Sequence, residues 1–100
     1  MAYKNFSVLM SVYKSENAEY LTQALDSILN QTVIPNEIVI VEDGKLTGEL
    51  YDVLNQYEKR YTNIKRVSFS VNRGLGLALR DGVLACSNEI IARMDTDDIA

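Results

Sequence analysis

Phe6-Ser7-Val8-Leu9-Met10-Ser11-Val12 carries apolar residues on both parities of an extended chain, so neither face of that strand can be left to water. A strand buried on both faces belongs to a mostly parallel sheet, because crossover helices are what cover the two sides. Tyr13-Lys14-Ser15-Glu16-Asn17 ends the run. Beyond it Tyr20, Leu21, Ala24, Leu25, Ile28 and Leu29 recur at helical spacing, with Glu16 and Glu19 near the start, where the helix dipole favours negative charge. That pattern predicts an amphipathic helix lying on the sheet.

Pro35 punctuates the exit, and Glu37-Ile38-Val39-Ile40-Val41 reads as a second β-rich strand ending at Glu42-Asp43-Gly44. A second helix follows with Leu46, Leu50, Val53, Leu54, Tyr57 and Tyr61 as its apolar stripe, and Lys59 and Arg60 at its C-terminal end. Residues 64–70 alternate polar and apolar, which predicts a third strand at a sheet edge. Asn72-Arg73-Gly74 turns the chain into a third helix with Leu75, Ala78, Leu79, Val83 and Cys86 on one face, and residues 89–94 form a fourth strand. Strands alternating with single helices predict an α/β domain with a doubly wound, mostly parallel sheet and helices on both faces.

The chain has 100 residues, 47% of them apolar and 24% charged, which is ordinary for one small globular unit. A net charge of -4 without clustered Lys or Arg speaks against a nucleic-acid surface, so an anionic ligand would need a bridging cation. No segment reaches the roughly 20 apolar residues of a membrane-spanning helix. The one cysteine, Cys86, reads as a small buried hydrophobe, and a reducing, cytoplasmic setting fits it. With no histidine, any general base is a carboxylate or lies outside these residues.

In a parallel sheet the loops after strands one, two and four open at one edge, and they carry Ser11-Val12-Tyr13, Glu42-Asp43-Gly44 and Asp95-Thr96-Asp97-Asp98. The Asp oxygens are hard ligands for Mg²⁺ or Mn²⁺, ions that complete their shells with substrate phosphates. An Asp-x-Asp at a strand end therefore reads as a diphosphate holder, against the plainer reading of a solvated acidic turn. Acids gathered at one edge without a Lys-rich loop imply a missing cation. Asp43 either accepts hydrogen bonds from a nucleoside or simply belongs to a turn. Arg93 shares a strand face with Asp95, as a counter-ion or as a ligand contact. Gly74-Leu75-Gly76 follows the wrong strand for a dinucleotide fingerprint and has Leu79 where the third glycine belongs.

Five blocks in order, namely residues 6–13, 25–32, 37–44, 72–75 and 91–98, resemble the family 2 glycosyltransferases of bacterial polysaccharide synthesis. The resemblance covers essentially the whole chain. It implies a GT-A fold with a Rossmann-like nucleotide-binding half, a nucleotide-diphosphate sugar donor (a UDP-sugar), a Mn²⁺ or Mg²⁺ cofactor and inversion at the sugar. It places Ser11 and Tyr13 near the nucleoside, Asp43 on the base, Asp95 and Asp97 on ribose and metal-bound diphosphate, and Asp98 as a neighbouring metal ligand; Arg93 belongs to the same block. Arg80 and Glu42 depart from the common pattern, a change in donor preference or a neutral one. The acceptor, a glycan or lipid-linked hydroxyl, and the base that activates it are expected beyond Ala100. Residues 1–100 are accordingly expected to be the donor-binding part of a longer enzyme, inactive alone, at or near the inner face of the membrane. Two other readings are a Mg²⁺-dependent phosphotransferase like the haloacid dehalogenases, whose Asp-x-Asp should follow its first strand, and a non-catalytic α/β interaction module.

Overall fold

The computed structural model describes residues 5–94. Four strands form one sheet: β1 (Ser7–Val12), β2 (Glu37–Glu42), β3 (Ile64–Ser68) and β4 (Ile91–Arg93), in the order β3-β2-β1-β4. Every pairing is parallel, with Ser7 opposite Glu37 and Ile91, and Ile38 opposite Ile64. The helices α1 (Ala18–Leu29), α2 (Gly48–Arg60) and α3 (Leu75–Ala85) alternate with the strands. The doubly wound α/β expectation therefore holds, with β3 at an edge as its polar alternation predicts.

Strand parity divides the core. Val8, Met10, Val12, Ile38 and Ile40 face the α1 and α2 side, where Leu21, Leu25, Ile28, Leu50, Leu54 and Tyr57 meet them. Leu9, Val39 and Val41 have the opposite parity and pack with Ala78 of α3. After β3 the chain crosses to the other side of β1, so β2 and β4 flank β1. The two connections that leave the centre in opposite directions make the β1/β4 boundary the topological switch point, whose crevice lies at the C-terminal strand ends.

The helices start where local chemistry predicts. The Asn17 side chain accepts the Glu19 and Tyr20 N–H groups at 2.8 and 3.2 Å, and Thr47 Oγ1 accepts Leu50 N–H at 3.3 Å. The Tyr57 hydroxyl donates to the Asp26 carboxylate and ties α2 to α1; burial, and then that carboxylate, push the phenol up to about 12.

At the opposite, N-terminal edge of the sheet a polar cluster fixes the entry to β4. Glu37 Oε1 accepts from Ser7 Oγ and from the Ser87 N–H, each at 2.7 Å, and Oε2 accepts from Ser87 Oγ at 3.0 Å. Asn88 Nδ2 donates to Ser7 Oγ at 3.0 Å and to Asn36 Oδ1 at 2.9 Å. Burial works to raise the Glu37 pKa, but the Ser87 and Ser7 hydrogen bonds and the Lys65 ammonium outweigh it and hold the carboxyl below its ordinary value.

Three details differ from the sequence reading. β3 and β4 are shorter than residues 64–70 and 89–94. α3 buries Ala78 and Gly82, while Leu75 and Val83 of the expected stripe stand exposed. The reason is close approach: a Cβ on Gly82 would lie 2.4 Å from Leu9 Cδ1 and 2.8 Å from Val41 Cγ2, so small residues make the closest contact, with Leu79 packed beside them and Leu75 and Val83 turned away. Cys86 is half-buried, its thiol donating to Gly82 O at 3.3 Å; burial and the nearby Glu37 charge raise its pKa, which suits an inert filler.

Candidate functional site

The C-terminal edge is assembled first by β-register. Ser11 is the fifth residue of β1, half-buried and opposite Val41, and Tyr13 follows the strand with 43% of its surface exposed. Asp43 N–H donates to Val12 O at 2.8 Å, which sets Asp43 beside the Ser11–Tyr13 stretch. Arg93 ends β4 on an exposed position opposite Leu9, two residues short of Ser11, or about 7 Å along the strand. Met94 N–H donates to Leu9 O at 2.9 Å and carries the pairing one residue further. Ser11, Tyr13, Asp43 and Arg93 thus stand at or just past the ends of three strands that open at one edge. Asp95, Asp97 and Asp98 lie outside the described residues. Among the described residues no group of three or more His, Cys, Asp or Glu side chains is placed to hold a metal ion.

The expected mutual repulsion of acids at this edge does not describe Glu42 or Asp43, because both have partners within the chain. Glu42, only 3% exposed, accepts from Arg66 Nε at 2.5 Å and from Ser68 Oγ at 3.0 Å, and its backbone oxygen accepts Phe69 N–H at 3.0 Å. Burial disfavours the Arg66 charge, yet Glu42 and then Glu58 more than compensate and raise its pKa. Glu42 is therefore a tie between β2 and the edge strand β3. The other departure from the family pattern, Arg80, projects from α3 to within 3.5 Å of Asp81 with most of its side chain in water.

Asp43 is 4% exposed, and both its carboxylate oxygens are engaged: Oδ1 accepts Arg73 N–H at 2.8 Å and Oδ2 accepts Gly74 N–H at 3.1 Å. Backbone shape makes this possible. Gly44 has φ 87° and sits so close to the following loop that a Cβ would lie 2.7 Å from Asn72 N. Gly74, at φ 90°, precedes the first turn of α3, and Asn72 Oδ1 also accepts its N–H at 3.0 Å. The Arg73 guanidinium lies 4.8 Å from the Phe69 ring centroid, with Nη1 donating to Asp81 Oδ2 at 2.7 Å. A cavity of about 610 Å³ at this edge is lined by Glu42, Lys45, Tyr51, Ser68, Phe69 and Ser70.

Arg73 and Phe69 are the residues that reading the sequence passed over. Arg73 stands in the 72–75 block of the family resemblance, four residues after an aromatic and just before a glycine, but the carboxylate that pins the turn is 30 residues away.

Comparison with known proteins gives this edge its context. The sequence model of Glycosyl transferase family 2 matches residues 7–100. Over 94 residues the chain is 44% identical to the UDP-Gal:alpha-D-GlcNAc-diphosphoundecaprenol beta-1,3-galactosyltransferase of Escherichia coli, covering 94% of this chain and 34% of the relative. It is 42% identical to the amylovoran biosynthesis glycosyltransferase AmsE of Erwinia amylovora, covering 94% and 35%. The chain thus spans about a third of the length of these curated relatives. Among solved structures, S. aureus TarS 1-349 in complex with UDP-GlcNAc superposes with a TM-score of 0.80 at 27% identity, over 96% of this chain and 27% of that one. The mannosyltransferase PcManGT of Pyrobaculum calidifontis, solved with GDP-Man and Mn²⁺, shares the fold with a TM-score of 0.81 at 21% identity, over 95% and 28%. On the family match across the sheet and its C-terminal edge, the chain belongs to glycosyl transferase family 2.

Proposed function

We propose that the chain is the donor-binding part of an inverting glycosyltransferase, taking a UDP-sugar and serving a glycan or lipid-linked acceptor in bacterial polysaccharide synthesis at the inner face of the membrane. The observation that carries the reading is the convergence of Ser11, Tyr13, Asp43 and the end of β4 at the switch-point edge of a sheet in this family. Two relatives support the choice of nucleotide, since one is named for UDP-Gal and the other was solved with UDP-GlcNAc.

In this reading Ser11, Tyr13 and Asp43 border the nucleoside, Arg93 and Asp95 border the ribose and diphosphate, and Asp97 with Asp98 holds Mn²⁺ or Mg²⁺. When bound, such a cation supplies charge neutralisation for the departing nucleoside diphosphate. The residues of this chain bind and orient the donor, and the acceptor base is assigned to none of them. The test is calorimetric titration of UDP with and without Mn²⁺, beside an Asp97→Ala variant. Binding that requires the cation and is lost in the variant is the expected result; equal binding by the variant would sink the metal-site assignment.

A further inference from the structure

We infer that Glu37 is a positioning residue for the donor site, acting from the far edge of the sheet: it locks the turn between α3 and β4 and so sets the register in which β4 delivers Arg93 and the residues that follow. The inference rests on the donor-site reading above.

β4 has little of its own to fix its place. It is three residues long, β1 alone pairs with it among the described residues, and Ile91 is half-buried while Ala92 and Arg93 stand exposed. A strand's register is ordinarily specified by the apolar set it must keep inside, and that signal is faint here. Side chains from the starts of the other three strands supply it instead. Glu37, at the head of β2, spreads its two oxygens over Ser7 Oγ, the Ser87 N–H and Ser87 Oγ. Asn88 donates to Ser7 of β1 and to Asn36 just before β2, and Lys65 Nζ of β3 donates to Ala85 O at 2.9 Å at the end of α3.

Glu37 is the member of this cluster that joins β1, β2 and the turn at once. Burial opposes its charge, yet the Ser87 and Ser7 bonds and the Lys65 ammonium keep it ionised, and hydrogen bonds to a charged acceptor are the stronger kind. The pairing that begins with Ser7 N–H on Ile90 O, at 2.9 Å, runs on to Met94 N–H on Leu9 O, at 2.9 Å, where β4 reaches the switch-point edge. Ser11, Tyr13 and Asp43 depend on β1 and β2 instead, whose buried apolar runs hold their own register. Loss of Glu37 should therefore loosen one wall of the site and spare the other.

Amide hydrogen exchange and UDP titration on the protein test this. Without ligand, Glu37→Ala should speed exchange at Met94 by about tenfold, as expected for loss of a charged acceptor. The Asp43 N–H, bonded to Val12 O at the same edge, should keep its wild-type rate. Glu37→Gln leaves an acceptor oxygen in place and should recover most of the protection. With Mn²⁺ present, Glu37→Ala should weaken UDP binding by about tenfold. Tyr57→Phe, which removes the tie to Asp26 and touches no part of β4, is the control for stability alone and should bind as wild type. Equal acceleration at Met94 and Asp43 would mean general loosening and overturn the inference, as would unchanged exchange at Met94 or wild-type UDP affinity in Glu37→Ala. Should Glu37→Ala fail to fold in a thermal melt, Asn88→Ala must show the same selective exchange at Met94, and its absence there overturns the inference. If the wild-type protein binds no UDP with Mn²⁺, the donor-site reading has failed, and exchange at Met94 against Asp43 still decides whether Glu37 sets β4.

Discussion

On the α1 and α2 side of the sheet, large side chains from two layers fill the interior: Val8, Met10, Ile38 and Ile40 below, Leu25, Ile28, Leu50, Leu54 and Tyr57 above. On the α3 side the same strands offer Leu9, Val39 and Val41, and the helix answers with Ala78 and Gly82. One face is held by interlocking volume and the other by closeness of backbone, so they should fail in opposite ways. The thick face should suffer most when a side chain is shortened. The thin face should suffer when one is lengthened.

The largest effect is expected from Leu54→Ala, about 2–5 kcal/mol less stable in chemical denaturation, because Leu54 is fully buried and its loss leaves a cavity. Gly82→Ala comes next. Alanine is the better helix former by about 1 kcal/mol, yet Leu9 and Val41 are themselves buried and have little room to yield, so a net loss of about 1–3 kcal/mol is expected. A stabilised Gly82→Ala protein would break the contrast between the faces.

A smaller, pH-dependent effect belongs to neither face but to the N-terminal edge. The Glu37 carboxyl titrates below its ordinary value of 4.5 in the folded chain, so its contribution to stability is present above that pH and lost as pH falls through the folded value. Wild type should therefore be more stable than Glu37→Gln near neutrality, with the gap closing below pH 4.5 in denaturation curves taken at successive pH values. A gap constant with pH would mean that shape alone matters there.

These contrasts also mark what could be read from residues in order. β1 and β2 were legible because long apolar runs admit few arrangements, and α1 and α2 because their stripes face a deep core. The α3 stripe held for Ala78, Leu79 and Cys86 and misled at Leu75 and Val83, since periodicity weighs large residues and is silent about a glycine such as Gly82 that makes the closest contact. The sharing of one edge by Ser11, Tyr13, Asp43 and Arg93 followed from strand alternation alone. The partners of the acids did not: Glu42 meets Arg66 and Ser68, 24 and 26 residues further on, and no local pattern encodes such pairings. Asp95, Asp97 and Asp98, the acids that first suggested a metal, lie outside the described residues, and their assignment rests with the titration proposed above.

The tether of Ser87 and Asn88 to the start of the sheet bears on how far this chain can change in length. Between Asn88 and Met94 the path is pinned at both ends, by Asn88 to Ser7 and by Met94 to Leu9. One residue inserted there would displace everything downstream by about 3.3 Å and turn each following side chain to the opposite face. Insertions and deletions should accordingly avoid the approach to β4, whatever substitutions it accepts.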